Sequence, residues 1–289
     1  RLRGKTLALE ERAYNPLAPG DLVRLADAES ANRTAVITGR EPRRNAFQRY
    51  NHKREALQTL GANLDLVVAV MSVSQPAFRR RFVDRVLALA EYHGIPAAVL
   101  VTKADLEPEA ARLEVARYRD AGYEAWAVRP GSGPGSPASE AEEFAADEMT
   151  RRRLADHRAL LVGKGGVGKS TLLNRLFREE LQSVGAVSRR YERGRHTTNA
   201  AVLVRQGALE VVDTPGIREL DCRHIPADEL DACFADIRPL LGHCALADCS
   251  HRDEPGCAVR VAAEGDGLDV HRYESYLRLF EELLELQEA

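Results

Sequence analysis

Gly163-Lys164-Gly165-Gly166-Val167-Gly168-Lys169-Ser170 is the stretch on which the reading of this chain turns. It fits G-x-x-x-x-G-K-[ST], it follows the apolar run 159–162, and a helical pattern starts near Thr171. Strand, glycine-rich loop and helix together are the context in which this pattern holds phosphates. Glycines let backbone N–H groups reach phosphate oxygens with no Cβ in the way, and the helix N-terminus adds its positive end. Lys169 is expected to reach the β- and γ-phosphates, and the Ser170 hydroxyl to ligate Mg²⁺. Gly163, Lys164, Gly165, Gly166, Val167, Gly168 and Thr171 complete the expected phosphate-binding set. The competing reading, a plain glycine-rich strand–helix turn, explains neither the lysine nor the hydroxyl.

Working outward, Asp213-Thr214-Pro215-Gly216 closes the apolar run 209–212, as a D-x-x-G element does. Asp213 is expected to hold Mg²⁺ through water, and the Gly216 N–H to sense the γ-phosphate. Between the two motifs, Gly194-Arg195-His196-Thr197-Thr198 is a polar loop in which Thr197 or Thr198 suits the Mg²⁺ shell. Ile217, where a water-orienting glutamine would stand, cannot position a nucleophile. His196 or a group from a partner is the expected substitute, and His196 with Lys169 forms the expected catalytic pair.

The base is read upstream. Thr102-Lys103-Ala104-Asp105 follows the buried run 96–101 and matches N-K-x-D with threonine for asparagine. A carboxylate at Asp105 accepts from the N1–H and exocyclic amine of guanine, donors that adenine cannot offer. The Lys103 stem can cover the ring. Threonine at 102 is expected to lose the loop-bracing amide. A simple helix cap at Asp105 is the rival reading. The order is unusual: the base motif precedes the phosphate loop, which implies a circular permutation that keeps the sheet and moves the termini.

Strand-like runs at 64–73, 96–101, 123–128, 159–162, 202–204 and 209–212 alternate with helical patterns at 76–93 and 108–121. Such alternation implies a parallel, helix-covered sheet. Ahead of it, short extended pieces at 22–25 and 34–38 among Pro16, Pro19, Gly20, Gly39 and Pro42 have the texture of a partial small barrel. A flexible segment at 130–137 precedes an Ala/Glu-rich helical stretch. Beyond residue 221 the pattern is helical, ending in an amphipathic helix over about 270–286.

All five cysteines lie after residue 221. Cys244-x4-Cys249-x-His251-x5-Cys257 supplies three thiolates and one imidazole, a set that closes tetrahedrally around Zn²⁺ in a structural site. Cys222 and Cys233 fall at helical spacing and read as packing residues. With 289 residues, 44% apolar and 29% charged, the chain has room for two or three modest domains. The formal charge of −3 excludes a uniformly basic nucleic-acid binder. Two basic islands nevertheless stand out, at 40–54 (Arg40, Arg43, Arg44, Arg49, Lys53, Arg54) and 189–195. No apolar run reaches the roughly 20 residues of a membrane span. No signal peptide is visible, although the opening at Arg1 leaves the natural start open.

These motifs in this order resemble the circularly permuted GTPases of the ribosome small subunit-dependent GTPase A family, RsgA/YjeQ. Pro19-Gly20-Asp21 and Arg43-Arg44-Asn45-Ala46-Phe47 are similar to that family's N-terminal barrel, and Gly61-Ala62-Asn63-Leu64-Asp65 to its entry into the GTPase core. Gly194 to Thr198 resembles its switch loop, and Glu254-Pro255-Gly256-Cys257-Ala258-Val259 its zinc element. The resemblance implies a multidomain α/β protein: an OB-like β-barrel (partial) over 1–58, a circularly permuted P-loop GTPase domain over 59–220, and a C-terminal α-helical zinc-binding domain over 221–289. It implies GTP hydrolysis to GDP with Mg²⁺, one structural Zn²⁺, and stimulation by the small ribosomal subunit through its rRNA late in maturation. A cytoplasmic monomer without membrane contact is expected. Lys164 ahead of Gly165-Gly166 also resembles the variant loop of the MinD/ParA ATPases, which is the alternative.

Overall fold

A strand that reads as one apolar run must be covered on both faces, and the sheet of this protein is arranged around three such runs, 66–71, 97–101 and 159–162. The computed structural model describes residues 15–26, 36–129, 137–177 and 201–288, without the side chains of 137–145 and 287–288. In chain order these residues form β1 (Val23–Leu25), β2 (Ile37–Arg40), β3 (Ala46–Asn51), β4 (Ala56–Ala62), β5 (Leu66–Ser72), α1 (Arg80–Tyr92), β6 (Ala97–Thr102) and α2 (Pro108–Asp120). They continue with β7 (Glu124–Ala127), α3 (Pro137–Leu154), β8 (Arg158–Gly163), α4 (Lys169–Leu176), β9 (Val202–Gln206) and β10 (Leu209–Asp213). Three single 3-10 turns follow, at Ala227–Glu229, Asp231–Cys233 and Arg238–Leu240, before α5 (Ala258–Glu264) and α6 (Val270–Glu288).

The central sheet has six strands in the order β7-β6-β5-β8-β10-β9, parallel except for β9. Every residue of β5 is buried, so this strand is interior. Helix α1 packs against β5 and β6, α2 against β6 and β7, and α3 against α4 and β10. The buried Trp126 of β7 donates its Nε1–H to Thr150 of α3 at 3.1 Å, which satisfies the indole where α3 covers the sheet.

N-terminal to the sheet lie two separate antiparallel pairs, β1–β2 and β3–β4, in accord with a partial barrel. The β3–β4 hairpin is absent from the sequence reading, and the boundary expected at residue 58 falls inside β4. Polar residues mask it: across the ladder Arg49 and Asn51 donate to Gln58, and Gln48 donates to Thr59, so the pair shows no clean apolar alternation.

The three segments quoted for the N-terminal resemblance meet at one junction. Arg43 grips both oxygens of Asp21 at 2.7 and 2.9 Å. Arg44 reaches Asp65, and Asn45 both donates to and accepts from the Leu64 backbone. Arg49 donates to Gln58 and to the Glu219 carbonyl. Much of the basic island at 40–54 is therefore occupied by internal partners rather than presented to solvent phosphates. The second island, 189–195, lies outside the described residues.

The helical character expected after residue 221 is carried first by the 3-10 turns and only from Ala258 by α-helix. This region is fastened to the core by Arg272 of α6, which is 1% exposed. Its guanidinium bonds Asp84 of α1 at 2.6 Å and both oxygens of Asp236 at 2.8 and 2.9 Å, with Phe234 stacked at 4.7 Å. Arg272→Met strands two carboxylates and should lower stability by about 3–5 kcal/mol in urea titrations.

A second junction holds His93, at the end of α1, stacked on His224 with Phe47 of β3 against its edge. Burial and the neighbouring imidazole lower the His93 pKa from 6.5 to about 4. Between those values the unfolded chain binds the extra proton, so stability falls as pH drops from about 6.5 towards 4. Urea midpoints measured across that window should fall less steeply for His93→Gln than for the unmodified protein.

Candidate functional site

Parallel strands deliver their C-terminal ends to one edge of a sheet, where ligands of open α/β sheets bind. Here β5 pairs Ser72 with Thr102 of β6 on one side and Val70 with Gly163 of β8 on the other. Asp213 ends β10 opposite Leu161 of β8. The base motif, the phosphate loop and the D-x-x-G element thus converge on the same edge despite their order in the chain.

The loop from Gly163 to Lys169 needs its glycines. Gly168 has φ +91°, in the left-handed region. A Cβ on Gly216 would stand 2.7 Å from the backbone N and Cα of Gly165, so this close approach of two loops admits only glycine. The Ile217 N–H donates to the Gly163 carbonyl at 3.1 Å, and the Thr214 hydroxyl to the Leu161 carbonyl at 2.7 Å. Ile217 is 4% exposed, so its side chain serves the core, in keeping with its inability to orient water.

Lys169, 6% exposed, donates its ammonium to the carbonyls of Gly163 (2.7 Å) and Lys164 (3.1 Å). Burial lowers its pKa to about 8 despite the attraction of Asp213. Burial raises Asp213 to about 6, against the pull of Lys169. The Asp213 Oδ1 atom is buried with no hydrogen-bond partner among the described residues. A buried acceptor without a donor is what a hydrated cation would satisfy, and the exposed Ser170 and Thr171 hydroxyls lie on the first turn of α4. Asp213 and Ser170 therefore fit Mg²⁺. His196, Thr197 and Thr198 lie outside the described residues.

Thr102 departs from the sequence expectation. Its hydroxyl, 4% exposed, donates to the Val167 carbonyl of the phosphate loop at 2.5 Å, so a brace between the two loops exists without the asparagine amide. Lys103 sits at φ +56° and its ammonium bonds the Gln75 carbonyl, while the Ala104 N–H donates to the Val128 carbonyl at 3.1 Å. These bonds hold the loop so that Asp105 is exposed beyond the end of β6. A cavity of about 360 Å³ bordered by Ala104, Ala127 and Arg129 adjoins the same loop. The segment 130–136 lies outside the described residues.

In the C-terminal region, Cys244, Cys249, His251 and Cys257 come together with their ligand atoms within 4.8 Å of one another. The sulfurs of Cys244 and Cys257 stand 3.5 and 3.6 Å from His251 Nδ1. Tetrahedral zinc with ordinary bond lengths needs a ligand–ligand edge of about 3.5 Å, so the set can hold such an ion. His251 Nε2 faces Asp231 at 3.3 Å, the carboxylate that fixes a ligand imidazole. Glu254 accepts from the Ser250 and Arg252 N–H groups and the Ser250 hydroxyl, and Tyr273 and Tyr276 donate to the His251 and Ser250 carbonyls. Asp231 has no signature in the sequence, since it lies far upstream of the cysteine spacing. Cys222 and Cys233 are buried apart from the cluster, as packing residues should be.

Removing the hydroxyl in Thr102→Val leaves the Val167 carbonyl without its donor. GDP affinity, read by fluorescent-nucleotide titration, should fall by about 1–3 kcal/mol. Thr102→Asn should retain it.

Residues 40–223 match the family model described as RsgA GTPase. The small ribosomal subunit biogenesis GTPase RsgA of Gemmatimonas aurantiaca is 38% identical over 288 residues, 98% of this chain and 89% of that protein. The protein of the same description from Borreliella afzelii is 32% identical over 97% of this chain and 87% of its own length. Among solved structures, YjeQ from Thermotoga maritima superposes with TM-score 0.71 at 27% identity, covering 98% of this chain and 89% of that one. YloQ, described as a circularly permuted GTPase, gives 0.66 at 25%, covering 98% and 86%. The MinD/ParA alternative finds no support, and the Lys164 ammonium lies 5.5 Å over the Phe82 ring of its own chain. The chain belongs to the RsgA GTPase family and is a circularly permuted GTP hydrolase.

Proposed function

We propose that this GTPase acts in late maturation of the small ribosomal subunit, as a cytoplasmic monomer whose turnover rises on the particle. The observation that carries the nucleotide part is the Thr102–Val167 hydrogen bond, which ties the guanine-type loop to the phosphate loop. Support for the ribosomal part comes from the names of the relatives that cover nearly the whole chain.

In this reading the Asp105 carboxylate accepts from the guanine N1–H and amine, and Lys103 lays its stem on the ring. Backbone N–H groups from Gly163 to Thr171 surround the phosphates, with the Lys169 ammonium turning from the loop carbonyls to the β- and γ-oxygens. Mg²⁺, when bound, neutralises developing charge on the phosphates; Ser170, Thr197 or Thr198, and Asp213 would hold it. The Gly216 N–H contacts the γ-phosphate. With Ile217 buried, the attacking water is positioned by His196 or by a group of the particle. The N-terminal strands and the Cys/His loop flank the GTPase core as RNA-facing modules. Cys244, Cys249, His251 and Cys257 would hold Zn²⁺ as a closed structural set that organises a loop otherwise poor in regular structure.

The test combines two measurements. Purified protein should hydrolyse GTP slowly and accelerate at least tenfold, about 1.4 kcal/mol of barrier, when purified small subunits are added. Asp105→Asn should lose about 100-fold or more in GTP affinity and gain affinity for xanthosine triphosphate. Flat rates with small subunits would remove the ribosomal part, and an Asp105→Asn variant with unchanged preference would remove the guanine contact.

A further inference from the structure

An open cleft of about 820 Å³ lies between the N-terminus of α1, the segment after Gly216, and α6. Eight arginine or lysine side chains line it against four carboxylates, in a protein of net charge −3. Three of the eight are already paired: Arg80 with Glu114 at 2.6 Å, Arg223 with Asp221 at 3.0 Å, and Arg85 with Glu282. Arg79, Arg81, Lys164, Arg218 and Arg278 have no carboxylate within ion-pair distance among the described residues. The positive end of α1 adds to this charge, because its first turn contains no acid and its N-cap makes no side-chain bond. Cations at a helix N-terminus are unfavourable unless an anion offsets them.

We propose that this cleft binds the sugar–phosphate backbone of RNA. Its cations are spread over four separate parts of the chain and line a space much larger than one phosphate, so a repeating polyanion suits it better than a single ion. Seven of the eight are arginines, whose planar forks match phosphate oxygens. Phe78, half-buried and partly packed against Tyr118, puts an aromatic side chain at the lining, the type of group on which unstacked bases stack. Lys164 belongs to the phosphate loop, and Arg218 follows Gly216 by two residues. RNA seated here would touch both sides of the γ-phosphate edge, which gives it a direct route to the nucleotide. The inference rests on the function proposed above for the identity of the RNA as ribosomal, and not for the binding itself.

The test uses the full chain carrying Arg79→Gln, Arg81→Gln and Arg278→Gln, three exposed positions outside the nucleotide site. A fluorescent 20-nucleotide single-stranded RNA is titrated by anisotropy at several KCl concentrations. RNA affinity should fall at least tenfold at low salt, and the slope of log affinity against log salt should become shallower by roughly two. GDP affinity and basal hydrolysis should stay unchanged, and the matching Arg→Lys triple variant should keep the original slope. Unchanged affinity and slope would overturn the proposal. Displacement of the RNA by millimolar inorganic phosphate would make the cleft a small-anion site, and displacement by polyglutamate at equal charge an acidic-peptide site; either result overturns it. Small subunits that fail to stimulate hydrolysis while the RNA result stands would fault the ribosomal reading alone.

Discussion

Strand β5 is hydrogen-bonded on one side to the strand that ends at Thr102 and on the other to the strand that ends at Gly163. The geometry of the nucleotide edge follows from that placement. Because the three strands are parallel and in register, their C-terminal ends emerge together, and the loops that follow lie within one hydrogen bond of each other. Thr102 makes that bond to Val167. A permuted chain can reverse the order of its motifs without loss because the sheet, and not the sequence order, sets which loops are neighbours.

Elements outside the sheet are attached by polar contacts that reach the nucleotide edge. Tyr50 of β3 bonds the Asp221 backbone, Arg49 the Glu219 carbonyl, and Arg223 stacks on the Tyr50 ring at 4.1 Å. On the other side Arg85 of α1 holds both the Leu220 carbonyl and Glu282 of α6. The segment 219–223 therefore lies between the N-terminal hairpin and the C-terminal helix, a few residues beyond Gly216. The backbone carbonyls of this segment are thus bonded from both sides, by Tyr50 and Arg49 on one and by Arg85 on the other. The buried Arg272 network ties α6 to α1 through Asp84 and to the preceding turns through Asp236.

The parallel sheet was legible because its strands contain the unbroken apolar runs 66–71, 97–101 and 159–162, and the phosphate loop because lysine and hydroxyl at fixed spacing have few other uses. The cysteine spacing was legible for the same reason. The β3–β4 hairpin was not, since Arg49 bonds Gln58 and Gln48 bonds Thr59 across the ladder, which leaves no apolar alternation. The basic island at 40–54 misled in the opposite sense. Charge density in sequence does not show that Arg43 faces Asp21 or that Arg44 faces Asp65.

By itself the sequence determined the chemistry available: a phosphate-loop pattern at 163–170, an acid at 105 suited to a purine's donors, a Cys/His set at 244–257 able to hold a metal, and the permuted order of the first two. Local spacing suffices for these because each depends on residues a few positions apart. Only the tertiary structure decided that a threonine hydroxyl replaces an amide brace, that Asp231 supports His251, and that cations from 79, 81, 164, 218 and 278 share one cleft. Those outcomes join residues tens to more than a hundred positions apart, and the packing of sheet, α1 and α6 alone brings them within reach.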